Sequence, residues 1–240
     1  MFGFAGVQTP VERGGGLPLG RRVLAEFLGT ALLVTVVVGS GIAAQQLSPA
    51  DVGLQFFENT TATVFGLAVI ILVFGPISGA HLNPVVSVAD WFEGRRRGSG
   101  PSGFELTGYV SGQVLGGVAG AMLANSMFDQ APWQISTRDR VTGGHLIGEM
   151  VATAGLIAVV SGLAGRNRSL VAATVAAYIG SACWFTSSGS FANPAATVGR
   201  MFSDSFAGIA PLSGLGFIAA QLLGAALGAA VMTLLRPDRR

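Results

Sequence analysis

Long apolar runs alternate with short polar ones along the whole chain. Six stretches, at about 22–45, 55–76, 104–125, 144–165, 169–187 and 209–235, each approach the ~20 predominantly apolar residues needed to cross a bilayer as a helix. Two shorter apolar segments follow the second and fifth stretches. Each begins at an Asn-Pro pair and meets polar residues after about nine or ten positions: Glu93-Gly94-Arg95-Arg96-Arg97 in the first, Ser203-Asp204 in the second. At a rise of ~1.5 Å per residue, such a segment covers roughly half of the ~30 Å hydrocarbon layer. It cannot span, and is predicted to dip in from one face and end near the midplane.

The two short segments are copies of one another. Ser78-Gly79-Ala80-His81-Leu82-Asn83-Pro84-Val85-Val86-Ser87-Val88 aligns without a gap to Ser188-Gly189-Ser190-Phe191-Ala192-Asn193-Pro194-Ala195-Ala196-Thr197-Val198. Asn is a favourable helix N-cap, because its side-chain oxygen accepts from the first free amides. Pro suits the next position, where its missing N–H has no partner to lose. Each copy therefore predicts a helix starting at Pro84 or Pro194. The repeat extends outward. Glu26 and Glu149 stand early in the first and fourth spans, and Gln113 and Gln221 stand within the third and sixth. Each half reads as span, span, half-helix, span. Three spans per half is an odd number, so the second half inserts upside down relative to the first. Interrupted helices at matching places in two such halves point to a site at their interface.

Composition agrees with a membrane helix bundle. Half of the 240 residues are apolar, 11% are charged, and 36 are Gly, whose small size lets helices approach closely. The predicted fold class is an all-α membrane protein of six transmembrane helices plus two re-entrant half-helices in an inverted repeat. Residues 1–20 are predicted to be a cytoplasmic tail and 21–240 a single domain, with repeat one over about 21–126 and repeat two over about 143–236. All fourteen basic residues are Arg. Arg13, Arg21, Arg22, Arg95, Arg96, Arg97, Arg166, Arg168, Arg236, Arg239 and Arg240 fall on one side of the six-span arrangement. Arg138, Arg140 and Arg200 fall on the other. The positive-inside rule then puts both termini in the cytoplasm, and the expected location is the inner (plasma) membrane. A net charge of +2 gives no reason to expect a nucleic-acid partner. One Cys permits no disulfide within the chain. No nucleophile–base motif, phosphate loop or zinc spacing is present, so neither an enzyme nor a cofactor or metal site is expected.

The twin Asn-Pro boxes, with Glu26/Glu149 and Gln113/Gln221 in order around them, resemble the major intrinsic proteins, the aquaporins and aquaglyceroporins. The resemblance covers nearly the whole chain. It implies an aquaporin-like channel with two half-helices meeting at the midplane, one pore per subunit, and a homotetramer in the bilayer. It also implies that Glu26 and Glu149, which as buried carboxylates could otherwise form a proton relay, accept hydrogen bonds from the irregular backbone leading into the half-helices. His81, two residues before Asn83, is expected to brace its loop rather than bind a metal. Two departures stand out. The first box ends in Val85 where the family usually has Ala. Ala196 occupies the position after the second box, where the family usually has Arg. In this respect the chain resembles a bacterial subgroup linked with arsenical resistance.

Asn83 and Asn193, with Pro84 and Pro194, are expected at the pore centre. There each Asn amide can cap its helix through the oxygen and offer NH₂ to a passing solute. The free N–H groups and positive dipole ends of both half-helices would face the same point and repel cations. Family spacing puts a selectivity filter at Thr63, Ser181, Ser190 and Ala196. Phe65 replaces Thr63 if the register follows Phe65-Gly66-Leu67, since two residues turn a helix by about 200°. Without an Arg at 196 this filter is wide, small and polar. Arg200, about one turn further on, either brings charge to the outer mouth or is absorbed by Asp204 or by half-helix carbonyls. The expected function is passive passage of small neutral solutes and water, the solutes being glycerol-like or metalloid hydroxides such as arsenous acid. A general water and glycerol facilitator is the alternative. A proton-coupled transporter would need ionisable groups at the centre, where Asn, Ser and Thr stand instead.

Overall fold

The computed structural model describes residues 17–98 and 100–235, with only the backbone at Arg97. Most of the expected tail over 1–20 lies outside the described residues, as do Arg13, Arg236, Arg239 and Arg240 of the charge argument. Among the described residues eight helices follow in order: α1 (Leu19–Leu47), α2 (Val52–Ser78), α3 (Pro84–Arg97), α4 (Gly103–Met127), α5 (Gly143–Gly162), α6 (Arg168–Phe185), α7 (Pro194–Arg200) and α8 (Pro211–Leu235). Both halves run long, long, short, long. Five of the long helices are apolar enough, by length and composition, to cross a membrane. The sixth, α4, is as long as α8 at 25 residues, but carries Gln113 and several Gly and Ser.

Local chemistry sets the helix ends. Asp51 caps α2 through Leu54 N–H, and Thr142 caps α5 through His145 N–H. At α4, Ser102 and Glu105 form a reciprocal capping box. Asn83 and Asn193 cap the two short helices, with Pro at the first helical position in each. The short helices differ from the expected nine or ten residues in opposite directions. α3 has 14 residues and runs through Glu93 and the three arginines to a left-handed Gly98. Glu and Arg are good helix formers once they reach water, so charge alone does not stop the helix. α7 has only 7 residues.

Backbone-to-backbone packing joins the helices within each half. α1 crosses α4 so closely that a Cβ built on Gly116 would lie 2.3 Å from Phe27 O, and one on Gly120 2.2 Å from Ala31 O. The second half repeats this crossing with α5 and α8, where Gly224 meets Met150 O and Gly228 meets Ala154 O, each at 2.4 Å by the same measure. In lipid, where apolar burial gives little net drive, close approach through small residues holds helices together. The interior holds Val34, Val38, Ile42, Leu82, Val85, Leu156 and Ile157, while Leu24, Leu32, Phe65, Val69, Leu222 and Leu223 face outward. An apolar exterior suits a chain solvated by acyl tails.

Candidate functional site

Two irregular loops, residues 79–83 and 189–193, enter the centre of the bundle ahead of α3 and α7. Their backbones are strained in the same places. Ala80 and Leu82 have φ of 48° and 52°, and the matching Ser190 and Ala192 have 49° and 47°. Non-Gly residues rarely adopt this region, and each costs on the order of 1–3 kcal/mol and persists only where the surroundings fix it.

Two buried carboxylates supply that fixing. Glu26 accepts from Ser78 Oγ (2.6 Å) and His81 N–H (2.9 Å) on one oxygen, and from Leu82 N–H (2.6 Å) and Gln113 Nε2 (2.7 Å) on the other. Glu149 accepts from Phe191 N–H (2.8 Å), and from Ala192 N–H (2.9 Å) and Gln221 Nε2 (2.7 Å). Gln113 also donates to Ser87 Oγ, and Gln221 to Thr197 Oγ1. Each Glu–Gln pair thus ties a loop, the start of its half-helix and a long helix together. Tyr109 adds a bond from its hydroxyl to Ser78 O (2.7 Å). His81 lies 3.1 Å from Ser87 Oγ through Nδ1 and 4.0 Å from Asp90 through Nε2.

The half-helices meet through the two asparagines. Asn83 Nδ2 donates to Ala192 O, and Asn193 Nδ2 donates to Leu82 O, both at 2.8 Å. Their oxygens cap Val85 N–H in α3, and Ala195 and Ala196 N–H in α7. An amide NH₂ carries two hydrogens, so each Asn keeps one donor beyond the cross-loop bond.

A cavity of about 1750 Å³ is lined by both loops and both asparagines. Irregular backbone at membrane depth is tolerated where it lines such a space. One mouth carries Arg96, Arg166 and Arg168, and the other Phe56, Arg140 and Phe206. Thr63, Ser190, Ala196 and Arg200 also line the cavity. Thr63 is buried, and its hydroxyl donates to Asn59 O (2.8 Å). Phe65 is 69% exposed on the opposite side of α2 and does not line the cavity.

Ser181 has to be corrected. It is exposed on the outside of α6, and the α6 residues lining the cavity are Arg168, Val171, Val175, Ile179 and Cys183. Cys183 is about 200° around the helix from Ser181, so one faces in and the other out. The pairing of Arg200 with Asp204 is also absent. Asp204 accepts instead from Thr137 N–H (2.9 Å), and Arg200 donates through Nε to Ala207 O.

Arg140 and Phe191 were not singled out in the sequence, yet they shape this mouth. Arg140 donates from Nε to Gly208 O (2.7 Å) and from a terminal nitrogen to Phe206 O (2.6 Å). Burial, and then the nearby Arg138, lower the pKa of Arg140 to about 10, which leaves it charged at neutral pH. Its place among the few Arg on the minority side of the charge pattern was the one available signal.

The sequence model of the family described as "Major intrinsic protein" matches residues 17–187. The aquaglyceroporin AqpS of Rhizobium meliloti (strain 1021) is 44% identical over 224 residues, covering 92% of this chain and 93% of the relative. A glycerol uptake facilitator protein of Pseudomonas aeruginosa is 37% identical over 111 residues, covering 45% of this chain and 36% of the relative. The X-ray structure of the aquaglyceroporin from Plasmodium falciparum superposes with a TM-score of 0.65, covering 90% of this chain and 95% of that one. At 20% identity the likeness concerns the fold alone.

Proposed function

We propose that this chain, which belongs to the major intrinsic protein family, is a passive channel for glycerol-like neutral solutes and water, with the Asn83–Asn193 centre as its pore. The observation that carries the reading is the small side chain of Ala196 beside Ser190, Thr63 and Cys183 on the wall of one cavity. A wall of hydroxyl, thiol and methyl groups leaves width for a polyol and offers it few hydrogen bonds to break on leaving. The remaining Asn donors at the centre accept a hydroxylic solute, while the positive ends of two half-helices oppose a cation. The names of the AqpS and glycerol-facilitator relatives point to the same solute class. Uncharged metalloid hydroxides such as arsenous acid share the size and hydroxyl pattern of glycerol and belong to the proposal. So do a homotetrameric assembly and a plasma-membrane orientation with both termini cytoplasmic, the latter resting on the Arg asymmetry.

Stopped-flow measurement on proteoliposomes tests the reading. Glycerol, water and arsenous acid should each cross faster than through protein-free vesicles, without saturation and without response to a proton gradient. Saturable, gradient-driven glycerol uptake would replace the channel with a coupled transporter.

A further inference from the structure

Charge is unbalanced at the mouth that holds Arg140 and Arg200. The Arg200 guanidinium carbon lies 3.2 Å from the centroid of the Phe191 ring, and that of Arg140 lies 5.6 Å from the same ring. Both cations are partly buried, and their hydrogen bonds go to backbone carbonyls: Ala207 O for Arg200, Gly208 O and Phe206 O for Arg140. Among the described residues, the two ion pairs join Arg22 to Glu105 and His81 to Asp90, so neither mouth arginine has an acidic partner. The acids nearby are engaged elsewhere. Glu149 takes the loop amides and Gln221, Asp204 takes Thr137, and Asp139 takes Ser213 Oγ at 3.3 Å. Carbonyl dipoles offset only part of the cost of drawing two cations out of water.

A third group points the same way. Ser190 is 5% exposed and lines the same cavity, and its hydroxyl has no hydrogen-bond partner. Of the ten N–H donors on two guanidinium groups, three are used. Seven remain, with the Ser190 hydroxyl, around the Phe191 ring on which Arg200 rests.

We propose that this mouth is a binding site for a small oxyanion, a carboxylate or a tetrahedral oxyanion, held between Arg140 and Arg200 with the Ser190 hydroxyl as a third donor. Planar guanidinium forks match two oxygens of one anion, and charge-assisted bonds of this kind are the strong ones. The site goes beyond passage of neutral solutes, because binding there needs no flux.

The test is calorimetric titration of the full chain in detergent at neutral pH, with acetate and separately with inorganic phosphate, ionic strength being held constant with a chloride salt. At least one anion should bind saturably, and comparison of the two identifies the preferred shape. Arg200→Gln should weaken binding by about tenfold or more, the scale of one charge-assisted bond. Ser190→Ala should weaken it about threefold or more. That variant keeps the fold, since the twin position is already Ala80 at a matching φ of 48°. Arg138→Gln, which removes an exposed neighbouring charge, should change affinity by less than about twofold. The inference is overturned if neither anion binds the monodisperse wild-type protein. It is equally overturned if Ser190→Ala leaves affinity unchanged, or if Arg138→Gln weakens binding as much as Arg200→Gln.

Discussion

The loop ahead of α3 and the loop ahead of α7 share one frame and differ in what surrounds it. Both hold three left-handed residues at matching positions, a Gly and two others, both deliver consecutive N–H groups to a buried Glu, and both send an Asn amide to the other's carbonyl. Around the first, His81 reaches Ser87 and Asp90, Tyr109 bonds Ser78 O, and Glu26 receives four donors. Around the second, Phe191 stands in place of His81 with two arginines against its ring, and Glu149 receives three donors. Ser188 accepts from Ser190 N–H as Ser78 does from Ala80 N–H, but its hydroxyl lies by Thr186 Oγ1 where that of Ser78 donates to the buried Glu. The frame is fixed by backbone demands that any side chain above it must respect. The flanking side chains carry none of those bonds and are free to diverge, which leaves the cavity wall with acids and arginines at one approach to the centre and arginines without acids at the other.

The largest effect should come from removing the frame itself. Glu26→Ala strands four donors and Glu149→Ala three, each costing on the order of 1–3 kcal/mol when buried without a partner. Thermal unfolding in detergent should fall in both, and further for Glu26→Ala. Equal or reversed losses would break the account of the first loop as the more tightly held.

Next in size is the filter. Ala196→Arg puts a long planar cation across the cavity beside Ser190 and Arg200. Glycerol permeability relative to water should drop by about tenfold or more in paired proteoliposome assays, each tenfold being about 1.4 kcal/mol of barrier. An unchanged ratio would remove Ala196 from the proposed filter.

The face of α6 offers a smaller contrast. Cys183→Phe should narrow the cavity and slow glycerol by roughly fivefold, about 1 kcal/mol of barrier, while Ser181→Phe, on the outer face, should leave flux near wild type. The reverse result would restore Ser181 to the pore. Smallest is the α2 contrast. Thr63→Val should alter glycerol flux by about twofold through loss of one wall hydroxyl, less than 1 kcal/mol of barrier. Phe65→Val should change it less than Thr63→Val does.

By itself the sequence determined the six long and two short helices, the repeat that relates them, and the identity of the two carboxylates and two asparagines. These follow from local properties. Apolar length answers to bilayer thickness, Asn-Pro is a capping signal read over three residues, and an isolated Glu in an apolar span has to find partners. Its prediction was poorest for the end of α3, where polar residues continue a helix as readily as they stop one. What only the tertiary structure decided is which side of each helix meets the cavity, and what stands around the second loop. The long helices are apolar nearly all round, because one side meets lipid and the other meets protein, so the sequence carries little record of azimuth. Cys183 rather than Ser181 lines the wall because packing rotates α6 that way. Arg140 reaches Phe191 only because the segment ahead of α5 folds back over the end of α7, joining residues about fifty positions apart through bonds to backbone carbonyls that no side-chain pattern announces.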